Sequence, residues 1–168
     1  MKRHVSPKKN EPEHIKIPVG ASGQSAEKSA LCPCAGTNGK GSVCAFIEAF
    51  LQEKGWTTGV FSSPHLVFVN ERIRLNGRDI SDDAFADACG KVKKIVKEDM
   101  AEAEPIHLFL SVSSLWRLLV FHREMPDCCI IETGMGGRYD ATNVLEPEIS
   151  VITSISMDHM EFLGNTIE

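Results

Sequence analysis

Ala35-Gly36-Thr37-Asn38-Gly39-Lys40-Gly41-Ser42 lies between a short, mostly apolar segment, Leu31 to Ala35, and a run with helical apolar spacing. That run places Val43, Phe46, Ile47, Phe50 and Leu51 on one face, and Gly55 stops it. Glycines let the backbone curl with its N–H groups turned inward, where they can hold an anion. A lysine can reach the outer phosphates of a nucleotide, and a hydroxyl can hold a magnesium ion. The helix that follows presents its positive N-terminal end to the same anion. Strand, loop and helix in this order read as a phosphate-binding loop, so Gly36, Thr37, Asn38, Gly39, Lys40, Gly41 and Ser42 are the candidate ATP-binding residues. The loop departs from the ordinary form at two points. Gly41 stands between Lys40 and Ser42, and Cys34 occupies the place of an expected glycine. Pro33 is also awkward in a strand, since it cannot donate to a sheet ladder.

Outward from the loop, Thr57 to Phe61 reads as a second strand and Ser62 to Gly77 as a long connection. Ser81-Asp82-Asp83 begins a helix with an N-cap and places Phe85, Cys89, Val92 and Val96 on one face. A third helix is expected from about Ile106 to Phe121, with Leu108, Val112, Leu115 and Leu119 in register. Asp127 to Glu132 and Ile149 to Thr153 are apolar runs of strand length, as buried parallel strands require. Strands alternating with helices imply a three-layer α/β domain built on a mostly parallel sheet.

The 168 residues are enough for one such domain and too few for two well-filled ones. Met1 to Ala30 mixes Lys, Glu, Pro, Gly and Ser without apolar periodicity and reads as a flexible polar head, leaving 31–168 for the domain. A net charge of −5 supplies no basic footprint, so nucleic acid is not an expected partner. No apolar run approaches a membrane span and no secretory leader is legible, so a cytoplasmic, membrane-free monomer is expected. None of the six cysteines forms a Cys-x-x-Cys pair, and they read as buried free thiols.

Glu132 ends an apolar strand, which brings its carboxylate to the carboxyl edge of the sheet, where open α/β sheets bind ligands. Alone it would read as a solvated strand end. Beside a phosphate loop and a second strand ending near Asp158-His159, it reads as part of a site. Hard oxygen ligands suit magnesium, and a histidine ligand is less usual for it.

Gly36-Thr37-Asn38-Gly39-Lys40-Gly41-Ser42 is also the form of this loop found in the folylpolyglutamate/dihydrofolate synthases of the Mur ligase superfamily. Three further stretches match in order and spacing. They are Phe61-Ser62-Ser63-Pro64-His65-Leu66 with Asn70-Glu71-Arg72-Ile73, then Glu132-Thr133-Gly134-Met135-Gly136-Gly137-Arg138-Tyr139-Asp140-Ala141-Thr142-Asn143, then Thr153-Ser154-Ile155-Ser156-Met157-Asp158-His159 with Phe162-Leu163-Gly164. The chain resembles this family from about Gly36 to Glu168. The resemblance implies Mg2+ held by Ser63, Glu132 and His159, with Ser42 near a second ion, and Lys40 and His159 acting in catalysis. It implies folate contacts at Tyr139, Asp140 and Ala141, and a folate-covering loop from about Ser63 to Asn76. The implied substrates are ATP, L-glutamate and dihydropteroate or a tetrahydrofolate, joined through an acyl phosphate. Ser63, Glu132 and His159 are then expected to converge facing the loop.

The head lacks the helical segment with which family members begin, and Ser111 replaces the glutamate of a Thr-x-Phe-Glu stretch expected at Leu108-Phe109-Leu110-Ser111. The family continues past the position of Glu168 with a carbamylated lysine, more sheet and a glutamate-ligase domain. The expectation is therefore a partial ATP-binding domain, inactive by itself. Two other readings remain: a nucleotide-binding remnant without catalysis, and a Mur-type ligase of cell-wall synthesis.

Overall fold

A computed structural model describes residues 29–99, 119–138, 140–144 and 146–167. The expected head lies outside the described residues up to position 28. So do Leu108 to Ser111 and most of the expected third helix, of which residues 119–124 are described and helical.

Six strands form one sheet: β1 (Ala30–Ala35), β2 (Thr58–Phe61), β3 (Ile73–Leu75), β4 (Arg78–Asp79), β5 (Cys128–Glu132) and β6 (Val151–Ile152). Their order is β4-β3-β2-β5-β1-β6. β2, β5, β1 and β6 run parallel, and the β3–β4 hairpin adds antiparallel at one side. All four parallel strands therefore end at the same edge, with Cys34 level with Glu132 and Phe61 level with Ile131.

Side chains alternate across a strand, and the two faces are covered by different helices. On one face Cys32, Cys34, Val60, Cys128 and Ile130 pack under α1 (Lys40–Glu53), which contributes Cys44, Val43, Ile47 and Leu51. On the other, Leu31, Phe61, Ile73, Cys129 and Ile131 pack with Ala88 of α2 (Asp82–Asp99) and with Val120 and Phe121. β5 is buried at every position, as a central strand must be. Fully burying an isoleucine or valine stabilises by about 1.5–3 kcal/mol, so Ile130, Ile131, Val60 and Ile73 hold the sheet between its two helical layers. The expected three-layer, mostly parallel α/β architecture is what the chain adopts.

Four details differ from the sequence expectation. Phe46 and Phe50 stand in solvent, because the inward stripe of α1 is rotated by roughly 60° toward Cys44 and Glu48. Apolar periodicity discounts a glutamate at a buried position, and Glu48 is buried by an ion pair. β6 pairs over only two residues and is an edge strand, with Ile149 and Ile152 exposed rather than buried. The connection from Ser62 to Gly77 holds a 3-10 turn (Val69–Arg72) and β3. It closes with Asn76 at φ 49° and Gly77 at φ 79°, a two-residue hairpin turn of the Asn-Gly kind.

Pro33 is accommodated by register. The Ala30 amide donates to Asp127 and Cys34 accepts from Thr133 on the β5 side, while the Leu31 and Ala35 carbonyls bond on the β6 side. By alternation Pro33 faces β6, which begins pairing only at Cys34. The missing donor thus costs no ladder bond to β5. At the start of α2, Ser81 Oγ accepts the Ala84 N–H at 3.2 Å, the expected N-cap.

Candidate active site

The carboxyl ends of β1, β2, β5 and β6 deliver the loop Gly36 to Ser42, the Ser62-Ser63 turn, Glu132, and the segment Thr153 to His159 to one edge of the sheet. Gly36 has φ 134°, and a Cβ there would lie 2.1 Å from Thr153 Oγ1, so only glycine fits where β1 turns into the loop. Gly39, at φ 83°, caps α1, and Lys40 opens the helix. The Lys40 ammonium donates to the carbonyls of Gly36 (2.8 Å) and Thr37 (3.3 Å), which holds it over the mouth of the loop.

A latch fixes the loop from the far side. The Thr37 amide donates to Ser154 O at 2.8 Å; the Thr37 hydroxyl donates to Ser156 O at 3.0 Å and accepts from the Ser156 amide at 2.9 Å. Asn38 bridges Ser154. Thr37 and Asn38 therefore act first on the segment leading to His159. Cys34, in the place of a usual loop glycine, is completely buried with its Sγ 3.8 Å from Lys40 O. Burial pushes its thiol up, and that of Cys44 beside it. Five of the six cysteines are buried and all six are free, as the sequence suggested.

Glu132 is buried at the end of β5, and one carboxylate oxygen accepts the Ser63 amide at 3.0 Å. Two residues 69 apart in sequence meet there. The extra loop residue Gly41 lies beside this carboxylate: a Cβ there would stand in ordinary contact, 3.9 Å from both Glu132 oxygens, so the loop passes directly over Glu132. The Glu132 carboxylate is a hard oxygen donor of the kind magnesium takes, and Ser63 meets it through its backbone amide. His159, at φ 47° in the left-handed region, borders a cavity of about 440 Å3 together with Gly36, Thr37, Lys40 and Gly134 to Arg138. Its amide donates to Asp158 Oδ1 at 2.8 Å. Thus Ser63 and Glu132 are joined directly, and His159 is placed with Lys40. Among the described residues no three His, Cys, Asp or Glu side chains gather as a metal cluster.

Of the candidate folate contacts, Tyr139 lies outside the described residues and Ala141 opens a 3-10 turn, Ala141–Val144. Asp140 is buried. One oxygen accepts the amides of Gly134 (3.0 Å) and Met135 (3.1 Å), and the other that of Thr142 (2.8 Å). Its carboxylate shapes the 134–142 loop from within.

Sequence reasoning missed two carboxylate centres. Glu48, buried on α1, accepts from Arg74 (2.7 Å) and from the Gly77 amide (3.1 Å). Glu71 accepts the amides of Leu66, Val67 and Phe68 at 2.7–2.8 Å. The last is the glutamate half of a capping box. Those three bonds pull the Glu71 carboxyl below the usual range. They hold Leu66, Val67 and Phe68 as a rigid, solvent-exposed apolar tip. The lowered folded value means this order is present above the ordinary glutamate pKa and is lost as pH falls through the folded one. Amide hydrogen exchange at Leu66, Val67 and Phe68 is expected to be slow at neutral pH and to accelerate in Glu71→Gln. Equal exchange in both proteins would show that the carboxylate does not organise the tip.

The sequence model of the Mur ligase middle domain matches residues 34–168. The chain is 47% identical over 137 residues to a dihydrofolate synthase/folylpolyglutamate synthase of Bacillus subtilis, an alignment covering 80% of this chain and 31% of that protein. Among solved structures it is similar to E. coli FolC in complex with DHPP and ADP, with a TM-score of 0.75 and 33% identity over 82% of this chain and 32% of that one. It is also similar to a bifunctional folylpolyglutamate synthase/dihydrofolate synthase with Mn, AMPPNP and L-glutamate bound, with a TM-score of 0.73 and 32% identity over 86% of this chain and 36% of that one. The chain therefore spans about a third of the length of these proteins. The chain is a member of the Mur ligase middle-domain family, and within it of the group that resembles the folylpolyglutamate/dihydrofolate synthases.

Proposed function

We propose that this chain is the nucleotide-binding part of an ATP-dependent ligase that joins L-glutamate to dihydropteroate, a tetrahydrofolate or both. The observation that carries the reading is the meeting of the loop Gly36 to Ser42 with the Ser63–Glu132 pair at one sheet edge, where Gly41 lies beside the Glu132 carboxylate. In the reaction the γ-phosphoryl group passes from ATP to the substrate carboxylate, releasing ADP and forming an acyl phosphate. The glutamate nitrogen then attacks the acyl carbon; an amide forms, inorganic phosphate leaves, and the amine gives up a proton to solvent.

Loop amides and the N-terminus of α1 hold the nucleotide phosphates, and Lys40 neutralises charge as it spreads over the transferred group. Glu132, Ser42, Ser63 and His159 are the residues proposed to hold a magnesium ion, which would offset the charge of the phosphate groups. Asp140 keeps the 134–142 loop in shape beside the cavity, with Tyr139 and Ala141 as proposed folate contacts. Residues 31–168 form the proposed ATP-binding domain, acting as a monomer in the cytoplasm, and the glutamate-ligase domain belongs to the remainder of the relatives' length.

Holding acyl phosphate and amine in register is worth roughly 7–11 kcal/mol of barrier, and a one-domain site supplies little of it. The test is incorporation of labelled glutamate by this chain alone and by the chain joined to the remaining two thirds of a relative. The joined protein is expected to turn over with dihydropteroate or tetrahydrofolate, and the chain alone at least about a hundredfold more slowly. Activity of the joined protein on a cell-wall precursor, with none on either folate substrate, would overturn the reading.

A further inference from the structure

The cavity beside the phosphate loop has a second cationic wall. Arg138 borders it together with Gly36, Thr37 and Lys40, and its exposed guanidinium makes no hydrogen bond or ion pair among the described residues. Asp158 and His159 also border the cavity, and the Asp158 carboxylate is engaged with His159 at 3.8 Å.

The backbone under Arg138 is built to keep it there. Gly136 holds φ 62°, where a Cβ would come within 3.0 Å of Leu163. Asp140 clamps the amides of Gly134 and Met135, the Asp140 amide bonds Gly137 O at 3.1 Å, and Asn143 Nδ2 donates to Arg138 O at 3.0 Å. A braced turn thus presents a planar five-donor cation to a cavity that the phosphate loop also lines. Lys40, by contrast, folds back on loop carbonyls and delivers its charge from the loop side only. Arginine's fork matches the two oxygens of a carboxylate or phosphoryl group, which a lysine point charge does not.

We propose that Arg138 is a substrate-binding residue that grips the anionic reacting group from the side opposite Lys40. The inference rests on the ligase reading and deepens it by placing the reacting oxyanion between two cations. That oxyanion is the γ-phosphoryl group of ATP or the carboxylate of the folate-type substrate, and both have the same chemistry toward a guanidinium.

The experiment is calorimetric titration of the chain with MgATP, MgADP and dihydropteroate. It uses the wild type, Arg138→Gln, Arg138→Lys, Lys40→Ala and, as an equal-charge control on β4, Arg78→Gln. Arg138→Gln is expected to weaken MgATP or dihydropteroate by roughly ten- to a hundredfold, the range for one charge-assisted contact. Arg138→Lys should fall between, and Arg78→Gln should bind like the wild type. Loss for MgATP but not MgADP identifies the γ-phosphoryl group; loss for dihydropteroate alone identifies the carboxylate. Unchanged affinities in Arg138→Gln, with MgATP lost in Lys40→Ala, overturn the role of Arg138 and leave the ligase reading standing. Equal losses in Arg138→Gln and Arg78→Gln overturn it too, as a diffuse charge effect. Wild type binding none of the probes at millimolar concentration, or MgATP retained in Lys40→Ala, overturns the ligase reading itself.

Discussion

Lys40→Ala is expected to weaken MgATP binding by this chain on the order of ten- to a hundredfold, the scale for one charge-assisted contact to a phosphate. Two observations set the direction. The ammonium already sits over the loop, bonded to the Gly36 and Thr37 carbonyls, so little reorganisation separates it from a bound phosphate. The loop around it is held by other means, through Gly36 against Thr153 and the Thr37–Ser156 latch, and keeps its shape without the lysine. The melting temperature should therefore fall by only a few degrees, for the loss of about one kcal/mol of side-chain to backbone bonding. Lys40→Arg should not rescue binding, because a longer, planar head does not fit where a point charge folds onto two carbonyls. Calorimetric titration with MgATP, read alongside thermal melting, checks both halves. MgATP affinity within threefold of the wild type would show that the loop binds something other than a triphosphate.

The largest stability effect is expected at Glu48, far from any motif. Its carboxylate is buried on α1 and takes Arg74 at 2.7 Å, the Gly77 amide at 3.1 Å and Gln52 at 3.4 Å. Gln52 in turn donates to Thr58 Oγ1 at 2.9 Å. Glu48→Ala would leave the partly buried Arg74 guanidinium and the Gly77 amide unpaired. Breaking one partner of a buried pair costs about 3–5 kcal/mol, and the partial exposure of Arg74 reduces this to roughly 2–4 kcal/mol. That corresponds to a fall in melting temperature of roughly 5–15 °C for a domain of this size. The double variant Glu48→Met, Arg74→Met should recover part of the loss, because no unpaired charge then remains. Denaturant unfolding of the wild type, Glu48→Ala, Glu48→Met, Arg74→Met and the double variant decides it. A double variant less stable than the sum of the two single effects would show that the network does more than neutralise its own charges.

The β3–β4 hairpin and the buried Glu48, neither of which the sequence reading placed, differ in how they could have been found. The β3–β4 turn carried a short-range signal, Asn76-Gly77 between Ile73 to Leu75 and Arg78-Asp79, and that signal places the hairpin without further help. Glu48 carried none. A glutamate in the middle of a helix reads as solvent-facing until Arg74, 26 residues away, is known to lie opposite. The inward stripe of α1, turned toward Cys44 and Glu48, leaves Phe46 and Phe50 exposed. β6 failed for the opposite reason: its run from Ile149 to Thr153 has the composition of a buried strand but pairs on one side only, and burial depends on neighbours.

Local chemistry determined the parts of this protein that depend on adjacent residues. Glycine spacing built the phosphate loop, short runs buried at every position built β2 and β5, and Ser81 capped α2, because backbone conformation and capping are settled within a few residues. Four ordered motifs were enough for the family. The tertiary structure alone decided what meets at the sheet edge: Ser63 on Glu132, Thr37 on Ser154 and Ser156, Arg138 and Lys40 on one cavity, and Asp140 turned inward onto its own loop. Those contacts join residues brought together by strand order and register, and a single strand does not encode which neighbour it will have. A carboxylate also takes its role from the partners that desolvate and satisfy it, so only the folded chain shows that Glu132 lies open to the loop, Glu48 is paired with a cation, and Asp140 is bound to backbone amides.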